Sequence, residues 1–404
     1  MSYNFDQIVE RYNTGAVKHK IVKKNGEYTQ TNEADPSHGE DRLLQLWVAD
    51  MDFPVANEIT DALHKKLDQQ IYGYYTPESS YYDSVVSWCG RRYNWEIDKE
   101  WIKLCPGVVP ALYIMLPQLT KPGDKVLVQR PIYPPFESSS KAADCEVVSN
   151  DLVFDRETNR YLMDFDDLEQ KTADPNLTVA ILCSPHNPVG RVWTREELTK
   201  FAEICIRNNV VIVSDEIHCD LIYDDHEFVA MASLSDEIAD HTITCMAPSK
   251  TFNLAGLKSS QIIISNEELR QKFTDGIAKT GLYGPNGFGP IATEAAYTHG
   301  EQWLSEVMGY VQGNYAYVRD YCAEHIPGIK VVQPEGTYLL WLDCSGLGLE
   351  QEALVSKLLD EARIHLNDGV SFGPETGKGF MRLNIATPRP LLTQALERMK
   401  RVFG

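Results

Sequence analysis

The sequence predicts an α/β protein with a large domain built on a mostly parallel sheet and a smaller α+β domain. Two observations carry this expectation. Short, continuously apolar runs recur with helical stretches between them, the pattern of strands covered on both faces. After residue 280 that alternation gives way to a glycine-rich stretch, a long helical run and then mixed strands and helices. The expected division is 1–55 as an N-terminal arm with part of the small domain, 56–290 as the large domain and 291–404 as the C-terminal small domain.

Residues 1–45 are polar and broken by Asn25-Gly26 and Asp35-Pro36, so they read as an arm. Leu46 to Pro54 brings apolar residues together with Asp50 and Asp52. A helix is expected from about 56 to 67, then an aromatic loop at Tyr72-Gly73-Tyr74-Tyr75, and a second helix over 81–93. Gly107, followed by Val108, Val109 and Pro110, opens a third helix, whose free N–H groups can cradle an anion. Strands are expected at 125–128, 179–183, 210–213, 242–246 and 261–264. A helix over 195–208 is capped by Thr194. Beyond the glycine-rich 281–290, one helical run is expected over 291–325. Strands near 330–332, 337–342 and 381–385 and a helix over 351–363 complete the chain.

Composition narrows the function classes. The 404 residues carry 38 basic and 58 acidic side chains, a net charge of −20. That argues against nucleic acid as a partner, because phosphate contacts need a basic face. No apolar run is long enough to cross a bilayer, and residues 1–20 lack a signal-peptide core. Nine cysteines without a CxxC pair fit a reducing compartment, so a cytoplasmic enzyme is expected.

The chemically unusual residues follow the strands: Tyr133, then 184–190 with His186 and Asn187, then Ser214-Asp215-Glu216-Ile217-His218, then Ser249-Lys250. Ligands of parallel sheets sit at the C-terminal strand ends, so these loops are expected on one edge. They offer a lysine able to form a Schiff base, a carboxylate, an amide, a flat aromatic and an anion cradle of Gly107, Val108, Ser249 and Lys258. That set matches pyridoxal 5′-phosphate group by group. A metal cluster of Asp215, Glu216, His218, Cys219 and Asp220 is the rival reading, and it leaves Lys250 unexplained. His186, Arg191 and Arg389 read as structural, and Asn187-Pro188 is a candidate for a cis bond.

The segments SPHNPVG, SDEIH, APSKTFNLAGLK and MRLNIA resemble those of fold-type I pyridoxal phosphate enzymes of the aminotransferase class I/II superfamily. WVADMDFP, YGYYTPESSYYDSV, PGVVPALY, SDEIHCDL and PEGTYLLWLD are similar to the bacterial cystathionine β-lyase or C–S lyase group (MalY/PatB type). The resemblance runs from about 46 to 389. It implies a seven-stranded sheet between helices, and a homodimer. It implies that Lys250 bonds the cofactor and moves the Cα proton, Asp215 pairs with the ring nitrogen, Asn187 and His218 lie at the ring oxygen, and Tyr133 stacks on the ring. Gly107, Val108, Val109, Ser249 and Lys258 would surround the phosphate, with Tyr74 reaching it from the neighbouring subunit. Arg382, with Asn187, would clamp the substrate α-carboxylate. The implied activity is carbon–sulfur β-elimination on a small amino acid. An aminotransferase, or a cofactor-loaded regulatory protein, are the alternatives. No metal and no membrane are expected.

Overall fold

Seven short apolar strands build the central sheet of the larger of two units. The computed structural model describes residues 3–12, 14–24, 27–30, 42–282 and 284–404. One unit takes 55–187 and 191–305, the other 1–54, 188–190 and 306–404. In the larger unit β1 (Ile102–Cys105), β2 (Lys125–Val128), β3 (Glu146–Ser149), β4 (Leu177–Cys183), β5 (Val211–Asp215), β6 (Thr242–Met246) and β7 (Ser260–Ile263) lie in the order β1-β7-β6-β5-β4-β2-β3. The β6-β5-β4-β2-β3 pairs are parallel, and β7 runs antiparallel to both β6 and β1. The reversal has a local cause. The β6–β7 connection holds only the one-turn helix Pro248–Thr251 and the 3-10 turn Ala255–Leu257, and a parallel return needs a full crossover.

Register aligns the strand ends. Asp215 is level with Cys183 on one side and Cys245 on the other, and Ser260 is level with Cys105. Helices α1 (Asn57–Asp68), α2 (Ser79–Tyr93), α3 (Val108–Leu119), α4 (Pro135–Ala142), α5 (Arg195–Arg207) and α6 (Glu267–Thr280) belong to the same unit. Thr194 and Glu197 close a capping box at the start of α5, satisfying two N–H groups reciprocally. Where α6 packs on α3, a Cβ at Gly276 would come within 2.9 Å of Ile114, so only glycine fits without a shift.

The helical run after 290 is two helices, α7 (Gly289–His299) and α8 (Glu301–His325). They part at Gly300, where an added Cβ would strike the Phe252 ring. Tyr297 of α7 stacks on Trp88 at 4.9 Å, and Trp303 lies 5.9 Å from Phe252. These aromatic contacts keep α7 and the first turn of α8 with the larger unit. The units therefore part at 305/306, inside α8, where the sequence suggested 290/291.

In the smaller unit, β8 (Leu339–Asp343) and β9 (Phe380–Asn384) are the inner antiparallel pair of a four-stranded sheet, and α9 (Arg389–Phe403) closes the chain. The expected helix over 351–363 is helical at Gln351–Ser356 and widens to a π turn at Lys357–Glu361. The segment 46–52 is stitched to β9 and its sequel by Asn384 N–H to Leu46 O and Asp52 N–H to Ala386 O, both 2.9 Å. The arm locks onto it with charge. Fully buried Lys18 donates to Asp52 at 2.7 Å, and Arg11 donates to Asp52 at 2.6 Å and to Asp50 at 2.7 Å. These two cations hold the Asp52 carboxyl below its usual range against the opposing effect of burial.

Removing one member of such a group leaves a buried charge unmatched. Lys18→Met is expected to cost about 3–5 kcal/mol of unfolding free energy. The double variant Lys18→Met/Asp52→Asn should recover part of that loss. Urea denaturation of the three proteins measures both.

Candidate active site

Five strands deliver their C-terminal loops to one edge of the sheet, because β1, β2, β4, β5 and β6 all run in the same direction. After β1, Gly107 leads into α3. The first backbone bond there is Ala111 N–H to Gly107 O at 3.1 Å, so the N–H groups of Val108 and Val109 face out of the helix end. Gly107 itself is extended, with φ of 171°, a conformation open to any residue. What favours glycine is Pro110, whose Cδ would lie 3.3 Å from an added Cβ.

After β6, the Pro248–Thr251 turn carries Ser249 and Lys250, both half-buried. Lys258 follows, exposed and in left-handed backbone (φ 53°). Asn286 secures that bend by donating to Leu257 O at 2.7 Å. After β2 comes Tyr133, half-buried and edge-on to Phe136 with ring centroids 5.9 Å apart. After β4 comes Asn187, buried, its N–H on Cys183 Sγ at 3.5 Å.

Asp215 ends β5. It is 4% exposed, and its Oδ1 accepts the Ile217 N–H at 3.1 Å. Burial raises its carboxyl to about 7, with the Ile217 bond and the Lys250 charge pulling the other way. His218, three residues on, is buried.

Two further expected residues stand on other elements. Tyr74 projects fully into solvent, beside exposed Ile71 and Tyr72. Arg382 belongs to the smaller unit, on β9. It is buried, donates to Trp47 O at 2.8 Å and lies over the Phe372 ring at 4.9 Å. His186 is structural: buried, Nε2 on Pro131 O at 2.9 Å, its imidazole pushed down to about 4 by burial. Arg191 forms a two-pronged ion pair with Glu197. The cis bonds among the described residues are Arg130–Pro131 and Ser184–Pro185, so the expectation for Asn187-Pro188 is corrected.

Among the described residues no group of His, Cys, Asp and Glu is arranged to hold a metal. The acids of the rival cluster are turned to other partners. Glu216 accepts from Ser214 and from Met231 N–H, and Asp220 from Tyr93 and Thr251. Sequence reading missed the roles of Asp220, Thr251 and Asn286. The only signal for the first two was their place inside motifs already singled out.

The donor set fits pyridoxal phosphate. A buried carboxyl at a strand end suits a protonated ring nitrogen, and a half-buried lysine suits an aldehyde. Two outward N–H groups at the start of a 12-residue helix, with a serine and a lysine, suit a phosphate.

Residues 42–399 match the profile of the family described as aminotransferase class I and II. The chain belongs to this family. Among class I and II aminotransferase relatives, cystathionine beta-lyase PatB of Bacillus subtilis is 41% identical, over 98% of this chain and 99% of its own length. A PLP-bound protein of Clostridium difficile 630, assigned to the aminotransferases, superposes with a TM-score of 0.92 at 43% identity over 100% of both chains. Cystalysin of Treponema denticola, which contains pyridoxal 5′-phosphate, superposes at 0.91 with 34% identity, over 100% of this chain and 99% of that one.

The Asp215 carboxyl makes a pH prediction with a definite sign. Between its usual 3.8 and about 7 the folded, cofactor-free protein holds a proton that the unfolded chain has lost. Stability therefore falls as pH rises through that window. Asp215→Asn lacks this dependence. Thermal melts of the cofactor-free proteins should show the variant gaining on the wild type from pH 4 to pH 7, and a constant difference above it.

Proposed function

We propose that this chain is a pyridoxal phosphate-dependent carbon–sulfur β-lyase acting on cystathionine, cysteine or related S-substituted cysteines. The observation that carries the reading is the placement of Asp215 at the end of β5 and of Lys250 in the turn after the adjacent parallel strand β6, in a chain that aligns over 98% of its length with a cystathionine β-lyase. When bound, the cofactor supplies an electron sink for the charge left at the substrate's Cα. The protein supplies the rest. Asp215 would keep the ring nitrogen protonated, Asn187 and His218 would hold the ring oxygen, and Tyr133 would stack on the ring. The N–H groups of Val108 and Val109, which Gly107 leads in, bind the phosphate with Ser249 and Lys258. Lys250 would hold the aldehyde and would take the Cα proton as general base. Arg382 is given the α-carboxylate, because a guanidinium offers two parallel N–H donors and lysine cannot, and Asn187 is given the same group.

Loss of the Cα proton and of the Cβ–S bond yields a thiol and a three-carbon enamine, which water converts to pyruvate and ammonia. Incubation of the loaded protein with cystathionine should release homocysteine, pyruvate and ammonia in equal amounts, and Lys250→Ala should abolish all three. Amino transfer that needs a keto acid, with no pyruvate from cystathionine, would establish the aminotransferase reading instead. That second reading is favoured by the assignment of the Clostridium difficile neighbour.

A homodimer belongs to the same proposal. Ile71, Tyr72 and Tyr74 form an apolar, solvent-facing loop that a single chain leaves uncovered, and Tyr74 of a second copy would add a phosphate ligand. Sedimentation velocity should give a dimer, and Tyr74→Ala should weaken cofactor retention. A fully active monomer would sink this part. A cytoplasmic setting is proposed on the nine cysteines, all buried and all free. No helix among the described residues is long and apolar enough to cross a membrane.

A further inference from the structure

The loop that leaves β5 returns a second acid to the interior. Asp220 is 3% exposed, and its carboxylate gathers donors from two other elements. The Tyr93 hydroxyl at the end of α2 reaches Oδ1 at 2.6 Å, with Arg92 Nε at 3.5 Å from the same oxygen. The Thr251 hydroxyl reaches Oδ2 at 2.8 Å. The Tyr93 oxygen is itself held by Trp88 Nε1 at 3.1 Å. Asp220 is therefore anchored to α2 before it touches Thr251.

Thr251 is the residue next to Lys250 and the last of a four-residue helix. That turn is followed by Phe252 N–H to Pro248 O at 2.8 Å and Leu254 N–H to Ser249 O at 3.1 Å. A turn so short has no helical stability of its own, so side-chain tethers decide where it points. The Asp220–Thr251 bond joins it to the loop that begins at Asp215. A rigid, planar cofactor needs the partner of its ring nitrogen and the partner of its aldehyde at one fixed separation, and small errors of placement are costly in rate.

We infer that the Asp220–Thr251 hydrogen bond is the strut that sets the span between Asp215 and Lys250, which makes Asp220 and Thr251 positioning residues for the lysine. The inference rests on the role of Lys250 proposed above. It predicts an effect on proton transfer rather than on substrate affinity. Packing alone predicts neither that split nor rescue by a smaller hydroxyl residue.

The test uses the full-length, cofactor-loaded protein with Thr251→Val, which keeps the shape and loses the hydroxyl, and Thr251→Ser, which keeps the hydroxyl. Exchange of the Cα proton of L-alanine with solvent is followed by NMR. A lyase and an aminotransferase both remove this proton, so the measurement stands even if cystathionine is not cleaved. In Thr251→Val the saturated exchange rate should fall roughly ten- to a hundredfold, the scale of a lost charge-assisted hydrogen bond. The half-saturating alanine concentration should change less than about threefold, as expected of an interaction that acts on the chemical step. Thr251→Ser should stay within about threefold of the wild type, because it retains that bond. Deuterium uptake by the peptide 247–254 should rise in Thr251→Val, with and without cofactor. Wild-type proton exchange in Thr251→Val, unchanged deuterium uptake, or a loss in Thr251→Ser as deep as in Thr251→Val would each overturn the inference.

Discussion

The site depends on one constraint, the common register of parallel strands at their C-terminal ends. Asp215 can be a buried carboxyl only because Cys183 and Cys245 lie level with it on either side, and because Ile181, Val213 and Ile243 behind them are completely buried. Packing of those side chains holds a polar group where solvation alone would not put it. A slip of one residue in β5 would turn Asp215 to the other face of the sheet and replace it with Ser214 or with Glu216. The same alignment brings the loops after β1, β2, β4 and β6 to the same edge, so the chemistry follows from the pairing.

Much of this was legible in the order of residues. Continuous apolar runs are a direct consequence of burial on both faces, so the positions of β2, β4, β5 and β6 could be read without a structure. From those followed the expectation that the loops bearing Tyr133, Asn187, Asp215 and Lys250 share an edge. The direction of β7 could not be read, since an apolar run is the same in either sense. It goes with a connection that holds only single helical turns and no crossover helix. The break at Gly300 was hidden because both helices carry the same periodicity across it. It exists because the Phe252 ring, distant in sequence, leaves room for nothing but hydrogen.

Partners far apart in the chain were also out of reach. Lys18 and Asp52 stand 34 positions apart, and Asp220 and Thr251 stand 31 apart. Neither pair leaves a periodic trace. The arm illustrates the cost of that blindness. Polar composition and turn residues in 1–45 suggested an arm and gave no sign of buried charge, yet Lys18 is fully buried and Arg11 bridges two acids. Burial of these charges is tolerable because each cation meets a carboxylate at hydrogen-bond distance, a condition that no count of charges reveals.

Three acids within six positions, Asp215, Glu216 and Asp220, show how the fold distinguishes a reactive group from structural ones. All three are buried. Glu216 accepts from the Ser214 hydroxyl and the Met231 N–H on one oxygen, and burial pushes it up to about 8, so at neutral pH it is mainly an uncharged carboxyl that ties its loop to residue 231. Asp220 has hydroxyl donors on both oxygens and an arginine alongside, so the protein itself satisfies it. Asp215 receives a single backbone N–H. It is the one of the three that ends a strand of the sheet, level with its neighbours, and the Lys250 charge acts on it. Burial therefore does not mark the functional carboxylate in this loop. What marks it is its position at the strand end, opposite the lysine.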